Sequence, residues 1–173
     1  MEFTSTLEKF EDNLWSHHIP VTVENAGDLT ANKNRRVLCS INDSEPFHCA
    51  LMPHKLGGYF INVHKELRKK LGLNTGDQLH IKLQKDESKY GMPLPDELKK
   101  LFELDDEGNQ LFHALTPGKQ RTLLYMVGKP KTAQTRIKKA IVIIEYLKFV
   151  NGKLDFKELN QAFKQANEDE RLY

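Results

Sequence analysis

The chain has 173 residues, 39% hydrophobic and 29% charged, a globular composition that excludes a disordered polymer. No apolar run approaches the roughly 20 residues that a bilayer span needs, and two cysteines exclude a disulfide scaffold. The net charge of +2 conceals a gradient: residues 1–92 sum to zero, 93–116 to −4, 117–153 to +8 and the last twenty to −2.

The segment MEFTSTLEKFEDN carries acids and no apolar stretch, so no signal peptide is expected. With Cys39 and Cys49 as its only cysteines, the chain suits a reducing cytoplasm. Phe3, Ser5 and Leu7 alternate with polar residues as a half-buried strand requires. A second strand is predicted over Leu14–Ile19, ended by Pro20. Val37, Cys39 and Ile41 share a face of a third strand, and Phe47, Cys49 and Leu51 a face of a fourth. The polar turn Asn42-Asp43-Ser44-Glu45-Pro46 makes them a hairpin. If Ile41 faces Phe47, then Cys39 faces Cys49, and both thiols are expected to be reduced and buried.

Gly57-Gly58 opens a fifth strand, Tyr59–Val63, and a short helix follows at His64–Leu71 with Gly72 as its C-cap. Asn74–Asp77 turns into a last strand, Leu79–Leu83. Six short strands and one helix argue for a small barrel or sandwich. Beyond Lys89 the period changes to that of helices. Gly91, Pro93 and Pro95 read as a linker, and Pro95-Asp96-Glu97 starts a helix with Leu98, Leu101 and Phe102 as its stripe. Leu111, Phe112 and Leu115 mark a second helix. Thr116-Pro117 caps a third, carrying Leu123, Leu124 and Met126 and ended by Gly128 and Pro130. The longest runs from Thr132 to Val150, with Ile137, Ala140, Ile141, Ile144 and Leu147 on one side and Val142, Tyr146 and Phe149 on the other. That pattern predicts burial on more than one side. Asp155 caps a final helix with Phe156, Leu159 and Phe163 inward.

MEFTSTLEKF, Asn42–Leu51, Tyr59–Arg68, Leu71-Gly72-Leu73 and Gly76-Asp77 resemble a bacterial domain of unknown function with a double-split β-barrel fold. Pro95-Asp96, Phe112, Leu115-Thr116-Pro117, Lys131 and Thr135-Arg136 resemble the YdeI/OmpD-associated, or bacteriocin-protection, helical domain. The latter usually has Ala before the lysine and Glu before Thr-Arg, where this chain has Pro130 and Gln134. More distantly, Leu71–Asp77 and the strand after it are similar to the barrel hairpin of the AbrB and MazE transcription regulators. The resemblance implies an α+β chain: a double-split β-barrel over 1–89, then a helical tail over 90–173 packed on it.

No catalytic motif is present: no Gly-x-Ser-x-Gly, no phosphate-binding Gly-Lys-Ser/Thr and no His-Glu-x-x-His. His17 and His18 point to opposite faces of a strand, and His48 and His54 lack partners at ligand spacing, so neither metal nor cofactor is expected. Asp77 reads as a turn carboxylate. Tyr59 and Trp15 either line a pocket in the barrel mouth or belong to the core. The sharpest candidate site is the basic run Lys129, Lys131, Arg136, Lys138 and Lys139, unbroken by any acid. Its side chains either cover the helix with their methylenes, bind a phosphate-bearing partner such as nucleic acid, or dock on acidic protein surface, including residues 103–107 of this chain. The expected function is non-enzymatic binding by a monomer or weak homodimer that does not insert into a membrane. The alternative is a DNA-associated regulator using the AbrB-like barrel, the basic helix or both.

Overall fold

The computed structural model describes residues 1–11 and 17–169, with backbone alone at 31–33 and 169. It is an α+β chain, antiparallel strands first and helices second, divided into two compact units, Met1–Gly91 and Met92–Tyr173. Among the described residues, no helix is long and apolar enough to cross a membrane.

In the first unit the chain weaves between two four-stranded sheets. β1 (Glu2–Thr6) and β2 (Glu8–Lys9) are separated only by Leu7, which is wholly buried where the chain changes sheets. β3 (His17–Val21) leads to a short helix α1 (Val23–Ala26) and a 3-10 segment over Gly27–Lys33. β4 (Arg36–Ile41) and β5 (Phe47–Ala50) follow, and Leu51, again wholly buried, marks the second change of sheet, into β6 (Met52–Pro53). β7 (Tyr59–Asn62), α2 (Lys65–Leu71) and β8 (Gln78–Lys85) complete the unit. The sheet orders are β1-β8-β4-β5 and β2-β3-β7-β6. Strict alternation on β8 buries Leu79, Ile81 and Leu83, and these join Ile19, Val37, Ile41, Ile61 and Val63 in a single core.

The turns follow from their residues. Gly72 takes a left-handed φ of 66° and its N–H caps α2. Asp77 Oδ2 accepts the Asn74 N–H at 2.7 Å, so this carboxylate holds the turn as its sequence context implies.

Two expectations are corrected. The hairpin pairs Cys39 with Phe47 and Val37 with Cys49, so the two thiols are diagonal neighbours and not opposite partners. The reason is the turn: Asn42 and Asp43 adopt φ of 48° and 60°, closing a tight turn with Ser44 N–H on Ile41 O. The chain therefore reverses about Asp43 and not Ser44, which moves each partner on β5 by two residues. Pro20 does not interrupt β3 but pairs with Phe60, because β2 covers only His17 and His18 and the missing N–H of Pro20 faces no ladder. The residues from Leu14 to Ser16 of the expected second strand, Trp15 included, lie outside the described residues. Cys39 is wholly buried, and hydrogen bonding with the Cys49 thiol, reinforced by burial, pushes its pKa far up. Thiol titration of native protein should therefore leave Cys39 unmodified, with half-buried Cys49 reacting slowly at most; two fast-reacting sulfurs would refute this packing.

The second unit comprises α3 (Asp96–Leu104), α4 (Asp106–Ala114), α5 (Pro117–Gly128), α6 (Ala133–Phe149) and α7 (Phe156–Asp169). α6 is the hub, packed against each of the other four. Its buried residues, Ala140, Ile143, Ile144 and Leu147, follow helical spacing, with Tyr146 beside them. Ile137 and Ile141, read as inward, are nearly half exposed at 46% and 45%, and Phe149 is 89% exposed. The neighbours flank the 140–143–147 line and leave the row four residues apart from Ile137 outside it. Asp155 caps α7 as expected, its Oδ1 accepting from Lys157 and Glu158. Thr116 precedes α5 without a side-chain cap bond; instead Gln120 Nε2 donates back to the carbonyls of His113 and Leu115.

Candidate ligand-binding cleft

The five basic residues singled out in the sequence do not form one surface. Arg136 is turned inward. Its Nε and Nη2 both reach Glu97 Oε1 at 2.8 Å, and Nη1 donates to the Lys131 carbonyl at 3.0 Å and to that of Pro130 at 3.3 Å. Lys139 Nζ lies 5.5 Å from the centre of the Phe163 ring on α7, where it shields that ring. Lys138 is half-buried, and Lys131 stands exposed in the α5–α6 connection. Lys129 follows α5 with its Nζ 5.6 Å from the Tyr125 ring centre.

Two of the five, Lys129 and Arg136, line a cleft of about 450 Å³ in the helical unit. One wall is the extended segment Met92-Pro93-Leu94-Pro95 with Asp96 and Glu97 at the start of α3; the other is Leu124, Tyr125 and Gly128 of α5. Leu124 is wholly buried, while the Tyr125 ring is 54% exposed at the rim. The cleft is thus mostly apolar, and its lining holds the Glu97–Arg136 ion pair with the exposed Asp96 and Lys129. Glu97 stays ionised: a hydrogen bond from its own backbone N–H lowers its pKa, burial opposes this, and Arg136 adds to the lowering. A second pair, Lys148 with Asp105 at 3.0 Å, ties α6 to α4, and Asp105 also caps α4 by accepting from Gly108 N–H at 2.8 Å. The chain's own acids thus occupy two cations of the basic segment.

Sequence reasoning missed the apolar wall. It read Gly91–Pro95 as a linker, although Met92-Pro93-Leu94-Pro95 is wholly apolar and a solvated linker has no use for that composition. Its prolines fix an extended backbone that holds the wall open. Among the described residues no group of His, Cys, Asp and Glu is placed to hold a metal ion.

Two family models match the chain, one after the other. Residues 3–83 match the Domain of unknown function (DUF1905), and residues 92–148 match Bacteriocin-protection, YdeI or OmpD-Associated. The first match takes in nearly all of both sheets; the second contains every residue that lines the cleft. No curated protein matches the chain.

Proposed function

We propose that this chain is a non-enzymatic binding protein whose helical unit holds its ligand in the Met92–Arg136 cleft. The observation that carries the reading is the cleft itself: about 450 Å³, mostly apolar, with one fixed ion pair in its lining. Ligand cavities typically measure roughly 300–1,000 Å³ and have this lining. Arg136 and Glu97 neutralise each other, so they shape the site, while Lys129 and Asp96 add one charge of each sign to its lining. The strand unit serves as a scaffold of the double-split barrel kind; the changes of sheet at Leu7 and Leu51 support that reading.

Gly128 offers a direct test. A Cβ there would stand 3.5 Å from Pro95 Cγ, an ordinary contact, so Gly128→Leu should fold normally and fill the cleft. An anilinonaphthalene sulfonate dye, apolar with one anionic group, should bind the native chain and lose at least tenfold affinity in the variant. Equal binding by both, with melting temperatures matched, would move the ligand elsewhere.

The DNA-associated reading rests on the +8 of residues 117–153. Its support is thinner, because Arg136 and Lys148 are held by carboxylates. If it is correct, replacing Lys129 and Lys131 with glutamine should weaken duplex binding about equally for all sequences. The salt slope should also flatten by on the order of 0.9 per lost phosphate contact. Absence of any binding at about 50 mM salt, where such contacts are strongest, would end this reading.

A further inference from the structure

Along the Met92–Pro95 wall of the cleft, the main chain takes no part in a helix or a ladder. Among the described residues, the N–H and C=O groups of Met92 and Leu94 make no hydrogen bond. Both residues precede a proline, which holds them in an extended backbone. Neighbouring residues of an extended chain aim these groups at opposite edges, so Met92 and Leu94 share one edge and Pro93 and Pro95 the other. The proline edge has no N–H to give. Its Pro95 carbonyl already accepts from Leu98 and Lys99 at 3.1 and 3.0 Å, at the start of α3. The Met92–Leu94 edge keeps two donors and two acceptors, repeated every second residue, or about 6.5 Å.

Any ligand that seals this wall from water must replace the hydrogen bonds that water makes to those four groups. A purely apolar molecule fills the volume and leaves them unpaired. An extended polypeptide brings one donor and one acceptor at the same repeat and satisfies them. Charge narrows the choice further. The lining carries Asp96 and Glu97 against Lys129 and Arg136, so it sums to zero and complements a neutral occupant. An internal stretch of a longer chain is neutral along its main chain, whereas a free short peptide brings two terminal charges.

We infer, on the reading that this cleft is the ligand site, that it receives an extended segment of a partner protein. The segment pairs its main chain with Met92 and Leu94 and lodges one apolar side chain between the walls. Pairing stops at a single added strand on this wall, because the prolines close the opposite edge.

The probe is acetyl-Ser-Leu-Thr-Leu-Ser-amide, neutral and capped, added to the full chain carrying the anilinonaphthalene sulfonate dye. It should displace the dye and slow hydrogen exchange at the Met92 and Leu94 amides about tenfold at saturation. N-methylation of the threonine removes a donor from one edge of the peptide, and N-methylation of both leucines removes donors from the other. One of these two peptides should lose about tenfold in affinity or more, while the other binds within about twofold of the parent. The same sequence with free termini should bind no tighter than the capped form. If the dye binds and Gly128→Leu blocks it, but the peptide displaces none, the partner segment is wrong and the cleft keeps another ligand. Displacement without protection of the two amides, or equal binding by both N-methylated peptides, would overturn the main-chain pairing. Tighter binding by the form with free termini would overturn the partner segment in favour of short peptides. A dye that binds native and Gly128→Leu proteins equally would remove the cleft reading, and this pairing with it.

Discussion

Replacing Gly108 with alanine should lower the melting temperature of the helical unit by roughly 5–10 °C, although alanine is the better helix former. Gly108 lies on α4 where that helix meets α6, and a Cβ there would stand 2.4 Å from Ile144 Cγ2 and 3.2 Å from Asp105 Cγ. Ile144 is 1% exposed and its branched methyl sits on a stiff χ1, so it cannot swing aside. Overpacking of this kind costs about 1–3 kcal/mol, against about 0.5–1 kcal/mol regained from helix propensity. Ile144→Leu removes the offending branch, so the double variant should be less destabilised than the two single losses together. Melting followed by far-ultraviolet circular dichroism measures both. A Gly108→Ala protein that melts at or above the native temperature would show that α4 and α6 do not meet this closely.

The Glu97–Arg136 pair should show a coupling energy of about 1–2 kcal/mol in a double-mutant cycle of Glu97→Gln and Arg136→Gln. That is the low end for hydrogen bonds to charged groups, because the Arg136 side chain keeps 27% of its surface exposed and solvent screens it. The pH dependence has a definite sign. The folded pKa of Glu97 is held below the ordinary 4.5, so its contribution is complete above that value and is lost as pH falls through the folded pKa. Native and Glu97→Gln proteins should therefore differ most near neutral pH and converge as the pH falls below 4.5 and through the folded pKa. A gap that persists undiminished at acid pH would mean that the carboxylate charge is not what holds α3 to α6.

Local chemistry was legible in the sequence and long-range geometry was not. Gly72, Asp77 and Asp155 announce their turns and caps because those roles depend on residues within a few positions. The alternation of Leu79, Ile81 and Leu83 declares a buried face for the same reason. The Cys39 register failed on two backbone angles, at Asn42 and Asp43, that residue type permits but does not dictate. Residues 22–35 received no assignment, and α1 and the 3-10 segment there are too short for any period to show. The site was half visible. Charge counting found Lys129 and Arg136, but it treated five cations as equivalent. Which of them turns inward is decided by Glu97, 39 residues away on another helix. Helix packing brings that pair together, and no spacing rule encodes it.

The pairing of β1 with β8 has a kinetic meaning. Glu2 lies across from Lys82, the Met1 ammonium donates to Leu83 O at 2.9 Å, and Leu83 N–H returns a bond to Met1 O at 2.8 Å. Among the described residues, the ladder of the first strand is thus with the last. During synthesis β1 has no ladder to join until Gln78–Lys85 has left the ribosome, and the cost of closing so long a loop must be met before that pairing gives anything back. The helical unit bears no such delay, since α3 and α4 adjoin in sequence and in space. In refolding from denaturant, helical signal should return ahead of the strand core, and the N-terminal strand should be among the last segments to gain protection from hydrogen exchange.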